Sequence, residues 1–479
     1  MNYLHIVLCK ICFLQVIKFP YTKSTTEETL QKLKDNFLNN PMEDWIYKDR
    51  YLTLKQLGLH YLDVNRSIRY PRQPSNRMKN AFYRAINGEN MNVALLGGSI
   101  SAGATLFKDN NERKIFFYAL QDYWNKTVTP ITGSKMMIHN YAIGATGSDF
   151  YSYCIDNYVQ GNATDLVIWE LSANDYHRFD NRDVPPTLPL EILTRSVMRL
   201  KRKPGLLYAH FFRGKDYRKE LECNNLESDG ANYLSRYYRI PSISWKKLVC
   251  RKLILNEQKM FSKLFAQDSS HPSLLGHAQM GFLLIHLIRK LFIQVIDDVL
   301  SNLSQDYLSL PGTISLEPVV IEPMLKPVFT KTDLVASDPL CFTFNIPSNG
   351  QTPFNLKKIL KVVRNDGYVI STAHGFIVRK DKTEGLRTKL PNKELHIQIN
   401  VPTHQQTPSK EWMILIGSYS NFGGAMFFID SKLSRVIETE KYAYGSIVAA
   451  VATKVKPGRH DLVIKSLKSG FFISSVMLG

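Results

Sequence analysis

The sequence predicts an α/β layer, a mostly parallel sheet flanked by helices in three layers, followed by a C-terminal antiparallel β-sandwich. Three observations predict it. Between Asn92 and Phe212 short apolar runs alternate with longer amphipathic stretches, a proline-rich break occupies 301–330, and beyond it β-rich runs recur at short spacing. The 479 residues, 44% hydrophobic and 22% charged, allow two or three domains with sizeable cores and do not have a disordered composition.

Residues 3–19 are mostly apolar and lie where a secretory signal would. Residues 1–24 are therefore read as a signal sequence, although Lys10 interrupts the run and no small-residue cleavage site follows before Thr22. Residues 25–90 are polar and read as helical and irregular in turn. The runs 93–96, 136–141, 166–170 and 206–212 are continuously apolar, as strands buried on both faces are. Helices are expected over 115–124 and 190–202. A closing amphipathic helix is expected over 274–300, where the charges are Arg289, Lys290, Asp297 and Asp298. These elements delimit a domain at 91–300. Pro311, Gly312, Pro318, Pro323 and Pro327 make 301–330 a connector. In 331–479, the runs 412–419, 425–429, 446–453, 460–464 and 471–477, parted by Gly, Asn or Pro, predict the sandwich.

The 61 Lys and Arg outnumber the 42 Asp and Glu, and the net charge of +19 is spread over both halves of the chain. Such a surface suits anionic neighbours, an anionic glycan among them. Zinc-finger spacing, an RNP-type aromatic motif and a basic heptad region are all missing, which argues against nucleic acid. Lys10 and Lys18 leave no apolar run long enough for a membrane span. Once a signal carrying Cys9 and Cys12 is removed, Cys154, Cys223, Cys250 and Cys341 remain, with three pairings open. Sequons at Asn65, Asn125, Asn162 and Asn302 occur about as often as chance supplies them and carry no weight.

Four stretches carry chemistry. Gly97-Gly98-Ser99 follows the first predicted strand, so Ser99 stands at a strand's carboxyl end, where open sheets bind ligands. A helix starting there would offer N–H groups to an anion. Gly144, after the second strand, has no Cβ to keep a ligand from its N–H. Asn174, after the third, is a neutral donor suited to a developing oxyanion, and the neighbouring Asp175 can fix its loop. Asp268 and His271 form a base with its own orienting carboxylate on one loop; His177 is the competing base, and His277 and His286 fall within a helix pattern. Each stretch alone is an ordinary turn. Together they supply a nucleophile, oxyanion donors and a supported imidazole along one sheet edge.

In these four blocks the chain resembles the SGNH hydrolase family over about residues 90–290, and the resemblance implies a flavodoxin-like sheet. It implies Ser99 as nucleophile, Asp268 and His271 as the rest of a catalytic triad, and Ser99, Gly144 and Asn174 as the oxyanion hole. Gly98 stands where the family commonly has Asp, and Ser172 where it usually has Gly. Gly-Gly-Ser variants with a C-terminal β domain look similar to a eukaryotic branch of that family. The expected activity is hydrolysis of carboxylic esters, O-acetyl or other O-acyl groups on a carbohydrate, by a secreted enzyme. No metal or cofactor is expected, since neither His-Glu-x-x-His nor paired-Cys spacing occurs. An acyltransferase using the same serine and a non-catalytic glycan-binding protein are the alternatives. In the sandwich, Trp412, Tyr419 and Phe422 are the candidate glycan contacts.

Overall fold

Alternate residues along a strand face opposite sides of a sheet, and in this chain both sides are covered. The computed structural model describes residues 23–39, 54–70, 74–106, 112–178, 187–304, 339–354, 360–375, 380–403, 411–441, 445–468 and 470–479. Its first sheet has six strands, β1 (Ile68–Arg69), β2 (Met91–Gly97), β3 (Met136–Asn140), β4 (Leu166–Glu170), β5 (Gly205–His210) and β6 (Ser242–Ser244), in the order β1-β6-β5-β4-β2-β3. All neighbours are parallel except β1, which runs antiparallel to β6. Val93 and Leu95, Leu166 and Ile168, and Leu207 and Ala209 face one core, against the helices Asn76–Ile86, Phe116–Thr127 and Leu274–Ser304. Ala94 and Leu96, Val167 and Trp169, and Leu206 and Tyr208 face the other, with the helices Ser148–Cys154 and Leu188–Arg199.

This is the expected three-layer α/β fold, with small differences of extent. The expected strand 206–212 stops at His210, and β1 and β6 carry too short an apolar signal to have been expected. The expected helix 274–300 continues through Ser304, so 301–304 are helical. The rest of the expected connector and residues 1–22 of the expected signal sequence lie outside the described residues, while Lys23 and Ser24 open a helix. That helix contributes Leu30, Leu33 and Phe37 to the first core. Arg84, in the helix before β2, is 2.6 Å from the buried Asp165, which also receives Arg202 at 2.7 Å. Among the described residues no helix is long and apolar enough to cross a membrane.

The C-terminal strands are β7 (Leu340–Thr343), β8 (Leu360–Asn365), β9 (Val369–Gly375), β10 (Lys382–Thr388), β11 (Glu394–Val401), β12 (Trp412–Tyr419), β13 (Gly424–Ile429), β14 (Lys432–Glu438), β15 (Ser446–Val455), β16 (Gly458–Ser466), β17 (Phe471–Ile473) and β18 (Ser475–Leu478). They form antiparallel sheets β14-β13-β16-β11-β8, β15-β12-β18-β7 and β17-β10-β9. The first two enclose the sandwich core, where Leu395, Ile397, Phe427 and Ile464 meet Ile414, Ile416 and Ile447. The expected single run 471–477 is two strands, parted at Ser474 as the chain changes sheets.

The sheet β15-β12-β18-β7 is buried on its second face too. Leu415, Val448, Met477 and Cys341 point away from the sandwich core into the second core of the α/β layer. Cys154 and Cys341 are joined by a disulfide there, closing a sequence separation of 187 residues, and a second bond joins Cys223 to Cys250. A disulfide typically contributes about 2–4 kcal/mol to stability. Shared apolar surface and a covalent bond therefore set the sandwich against the sheet, beside the elements that carry the site.

Candidate active site

The parallel strands run outward from β2 in both directions, to β3 on one side and β4 on the other, and the carboxyl ends of β2 and β4 flank the crevice this reversal makes. Ser99 follows β2 and Asn174 follows β4. The third contributor comes from the loop before the last helix, which begins at Leu274 and leaves His271 outside it. There the Ser270 N–H and His271 N–H donate to Asp268 Oδ1 at 2.9 and 3.0 Å, so the carboxylate organises its own loop. Its Oδ2 is 2.5 Å from His271 Nδ1, and His271 Nε2 is 2.7 Å from Ser99 Oγ. The structure thus brings Ser99, His271 and Asp268 into one hydrogen-bonded line.

Burial alone would raise the Asp268 carboxyl. The hydrogen bond and charge of His271, with the His271 and Ser270 N–H groups, outweigh it and hold the group well below the usual carboxylate range. Asp268 therefore stays ionised at any pH at which the protein would work. The His271 side chain is 21% exposed and that of Asp268 41%, so the line is open to solvent.

Asn174 lies against the turn that carries Ser99. Its Nδ2 donates to the Thr146 carbonyl at 2.6 Å, and a Cβ built on Gly98 would come within 2.2 Å of that nitrogen. A side chain at 98 would therefore have to displace the Asn174 amide from this position. Asn174 and Asp175, expected in a loop, lie in the helix Ser172–Arg178, and Asp175 Oδ1 accepts the Ser148 N–H at 2.8 Å, tying that helix to the start of the helix Ser148–Cys154. Ser172 Oγ is 3.1 Å from His210 Nδ1, and burial pushes that imidazole down to about 4.

Two expectations differ here. The described segment after Ser99, through residue 106, is a run of turns, with an Ala102 N–H to Gly98 carbonyl bond and Gly103 at φ +76°, so the helix expected to start there is not formed among these residues. The Gly144 N–H, expected to face an oxyanion, instead donates to Asp381 Oδ2 at 2.9 Å, and an N–H aligned on one carboxylate is already committed. Of the other histidines, burial drives His277 down to about 3 between Phe116 and Phe211, and His286 down to about 4; neither reaches the line. The His177 side chain lies outside the described residues. In the sandwich, Trp412 and Tyr419 are buried at 2% and 7% exposure, which removes them as glycan contacts; Phe422 is half-buried under Arg387.

Sequence reasoning missed Glu170, Asp381 and Ser446. Glu170 ends β4 beside the turn that carries Ser99 and accepts Ser101 Oγ–H at 2.7 Å. Burial pushes its carboxyl up to about 8, opposed by hydrogen bonds from Ser101 Oγ and from the Ser101 and Gly98 N–H groups, with Asp175 adding to the rise. A lone acid in the apolar run Leu166-Val167-Ile168-Trp169 was the available signal.

A carboxyl raised in this way holds its proton more tightly folded than unfolded. Its contribution to stability is full below the unfolded value of about 4.5 and is lost as pH rises from there toward about 8. Glu170→Gln, which keeps an acceptor for Ser101, is expected to gain stability relative to wild type between pH 5 and pH 8, as read from urea midpoints. Parallel pH curves for the two proteins would contradict this.

No protein-family model and no curated protein matches the sequence. Solved structures do match its fold. A two-domain esterase (CEX) active on acetylated mannans aligns with TM-score 0.59 and 17% identity over 86% of this chain and 97% of its own. The same esterase co-crystallised with mannopentaose aligns equally well, over 98% of its own length. The chain shares the fold of this esterase across both the α/β layer and the sandwich.

Proposed function

We propose that the protein is a secreted serine esterase that removes O-acetyl groups from a carbohydrate. The observation that carries this reading is the unbroken line from Ser99 Oγ through His271 to Asp268, at 2.7 and 2.5 Å. Ser99 Oγ attacks the acyl carbon as His271 Nε2 takes its proton. The bond to the sugar oxygen then breaks, and the imidazolium returns that proton to the leaving alcohol. Water repeats the attack on the acyl-enzyme, its proton passes through His271 to Ser99, and acetate leaves. Asp268, ionised throughout, holds the Nδ1–H and steadies the imidazolium. The oxyanion is received by the Ser99 N–H and the second hydrogen of Asn174 Nδ2.

The exposure of the His271 and Asp268 side chains supports a bulky alcohol reaching Ser99 from solvent. The mannan-active esterase of like two-domain fold is the reason for placing the ester on a polysaccharide. The two disulfides support an oxidising compartment. The test is acetate release from acetylated manno-oligosaccharides by the purified full chain, with and without an unacetylated sugar acceptor. Release without acceptor supports hydrolysis, and release that requires the acceptor assigns the serine to acyl transfer. No release, together with no labelling of Ser99 by a fluorophosphonate, would overturn the reading.

A further inference from the structure

We propose that Asp381 is a positioning residue for the catalytic site: it holds the turn whose Thr146 carbonyl aims the Asn174 amide, so that chemistry in the α/β layer depends on a residue of the sandwich. This rests on the esterase reading above. Asp381 immediately precedes β10, is fully buried, and reaches Gly144 across 237 residues of sequence. Burying a carboxylate is costly without compensation, and here it accepts a backbone N–H one residue from a strained position. That position is Ala145, at φ +60°, where a side chain costs about 1–2 kcal/mol.

Strain of this kind persists only where neighbours over-determine it. The sandwich supplies them from two directions. Asp381 takes the Gly144 N–H, while the Ser446 N–H and Oγ–H both donate to the Ala145 carbonyl, at 3.0 and 3.1 Å. Gly445, at φ +115°, packs so closely that a Cβ would stand 3.0 Å from that same oxygen. Within the turn, the Thr146 N–H and Oγ–H return to the Ile143 carbonyl at 3.3 and 2.7 Å. The Thr146 carbonyl is thereby placed to accept one hydrogen of Asn174 Nδ2 at 2.6 Å.

That bond decides which end of the amide meets the substrate. An asparagine side chain presents a donor at one end and an acceptor at the other. With the Thr146 carbonyl in place, only the nitrogen can occupy that side, and it lies against Gly98, next to Ser99, with one hydrogen left to give to an oxyanion. Displace the carbonyl and the amide is free to turn its oxygen toward the oxyanion, which it would repel.

The experiment is steady-state hydrolysis of an acetyl ester by the full chain and by Asp381→Ala, Asp381→Asn, Asn174→Ala and the Asp381→Ala/Asn174→Ala pair. Asp381→Ala is expected to lose roughly tenfold to a hundredfold in kcat with KM little changed. Asp381→Asn keeps a carbonyl for the Gly144 N–H and is expected to recover most of that loss. Because both residues act on one donor, the pair is expected to lose only about threefold more than Asn174→Ala alone. Should Asp381→Ala not fold, Ser446→Ala loosens the same turn, and its loss is likewise expected to vanish in the Asn174→Ala background. Wild-type kcat in Asp381→Ala, or losses that multiply in full, would overturn the role while leaving the esterase intact. A wild-type chain without turnover would instead sink the esterase reading and this role with it.

Discussion

Ser99→Ala is expected to lower kcat on an acetyl ester by about a millionfold while leaving the fold unchanged. At 1.36 kcal/mol per decade this is about 8 kcal/mol of barrier, too much for a substrate contact and appropriate to the loss of the nucleophile itself. The hydroxyl oxygen is the only atom removed, and it lies in the crevice at the end of β2 with His271 Nε2 2.7 Å away. His271→Ala is expected to cost about as much, since an imidazole and a hydroxyl that act as a unit are lost together. Asp268→Ala should cost less, roughly ten-thousandfold, because the imidazole remains while its orientation and charge support are lost. Stopped assays with acetate detection, beside thermal melts that confirm folding, measure all three. Ser99→Ala at wild-type rate would remove the serine from the chemistry altogether.

The second large effect belongs to Asn174. Asn174→Ala is expected to lose about a hundredfold to a thousandfold, concentrated in kcat, because the oxyanion exists only in the transition state and its intermediates. Asn174→Asp should be worse than alanine. It keeps the shape but sets a carboxylate where negative charge must develop, and it faces the Thr146 carbonyl with an acceptor where Nδ2 now donates at 2.6 Å. Comparing the two variants separates charge from shape. If the aspartate variant outperformed alanine, Asn174 would be acting on packing and not on the oxyanion.

Much of this site was legible residue by residue. The runs at 93–96 and 166–170 are strands because continuous Val, Leu and Ile can be hidden only in a sheet covered on both faces, and β2 and β4 are such strands. Asp268 and His271 lie on one loop, so their pairing needed only local geometry. Gly98 was read as a departure from the pattern it resembles, and in the structure the Asn174 nitrogen occupies the space a side chain at 98 would take. The helix expected after Ser99 did not form, because tertiary bonds hold that segment: the Asn140 side chain to the Ser101 carbonyl, and Thr105 Oγ–H to the Pro272 carbonyl.

Local sequence determined the layer order, the strand ends and the residue types that stand at them, because hydrophobic period and turn chemistry act over a few residues. Only the tertiary structure decided what the sandwich does to the site. The β15-β12-β18-β7 sheet is apolar on both faces because one faces its own core and the other the α/β layer, and that docking carries Asp381 and Ser446 to the turn behind Asn174. Contacts between residues hundreds of positions apart leave no periodic trace in a chain. They arise from the burial of apolar surface between two folded layers, which depends on shape rather than on neighbouring residues.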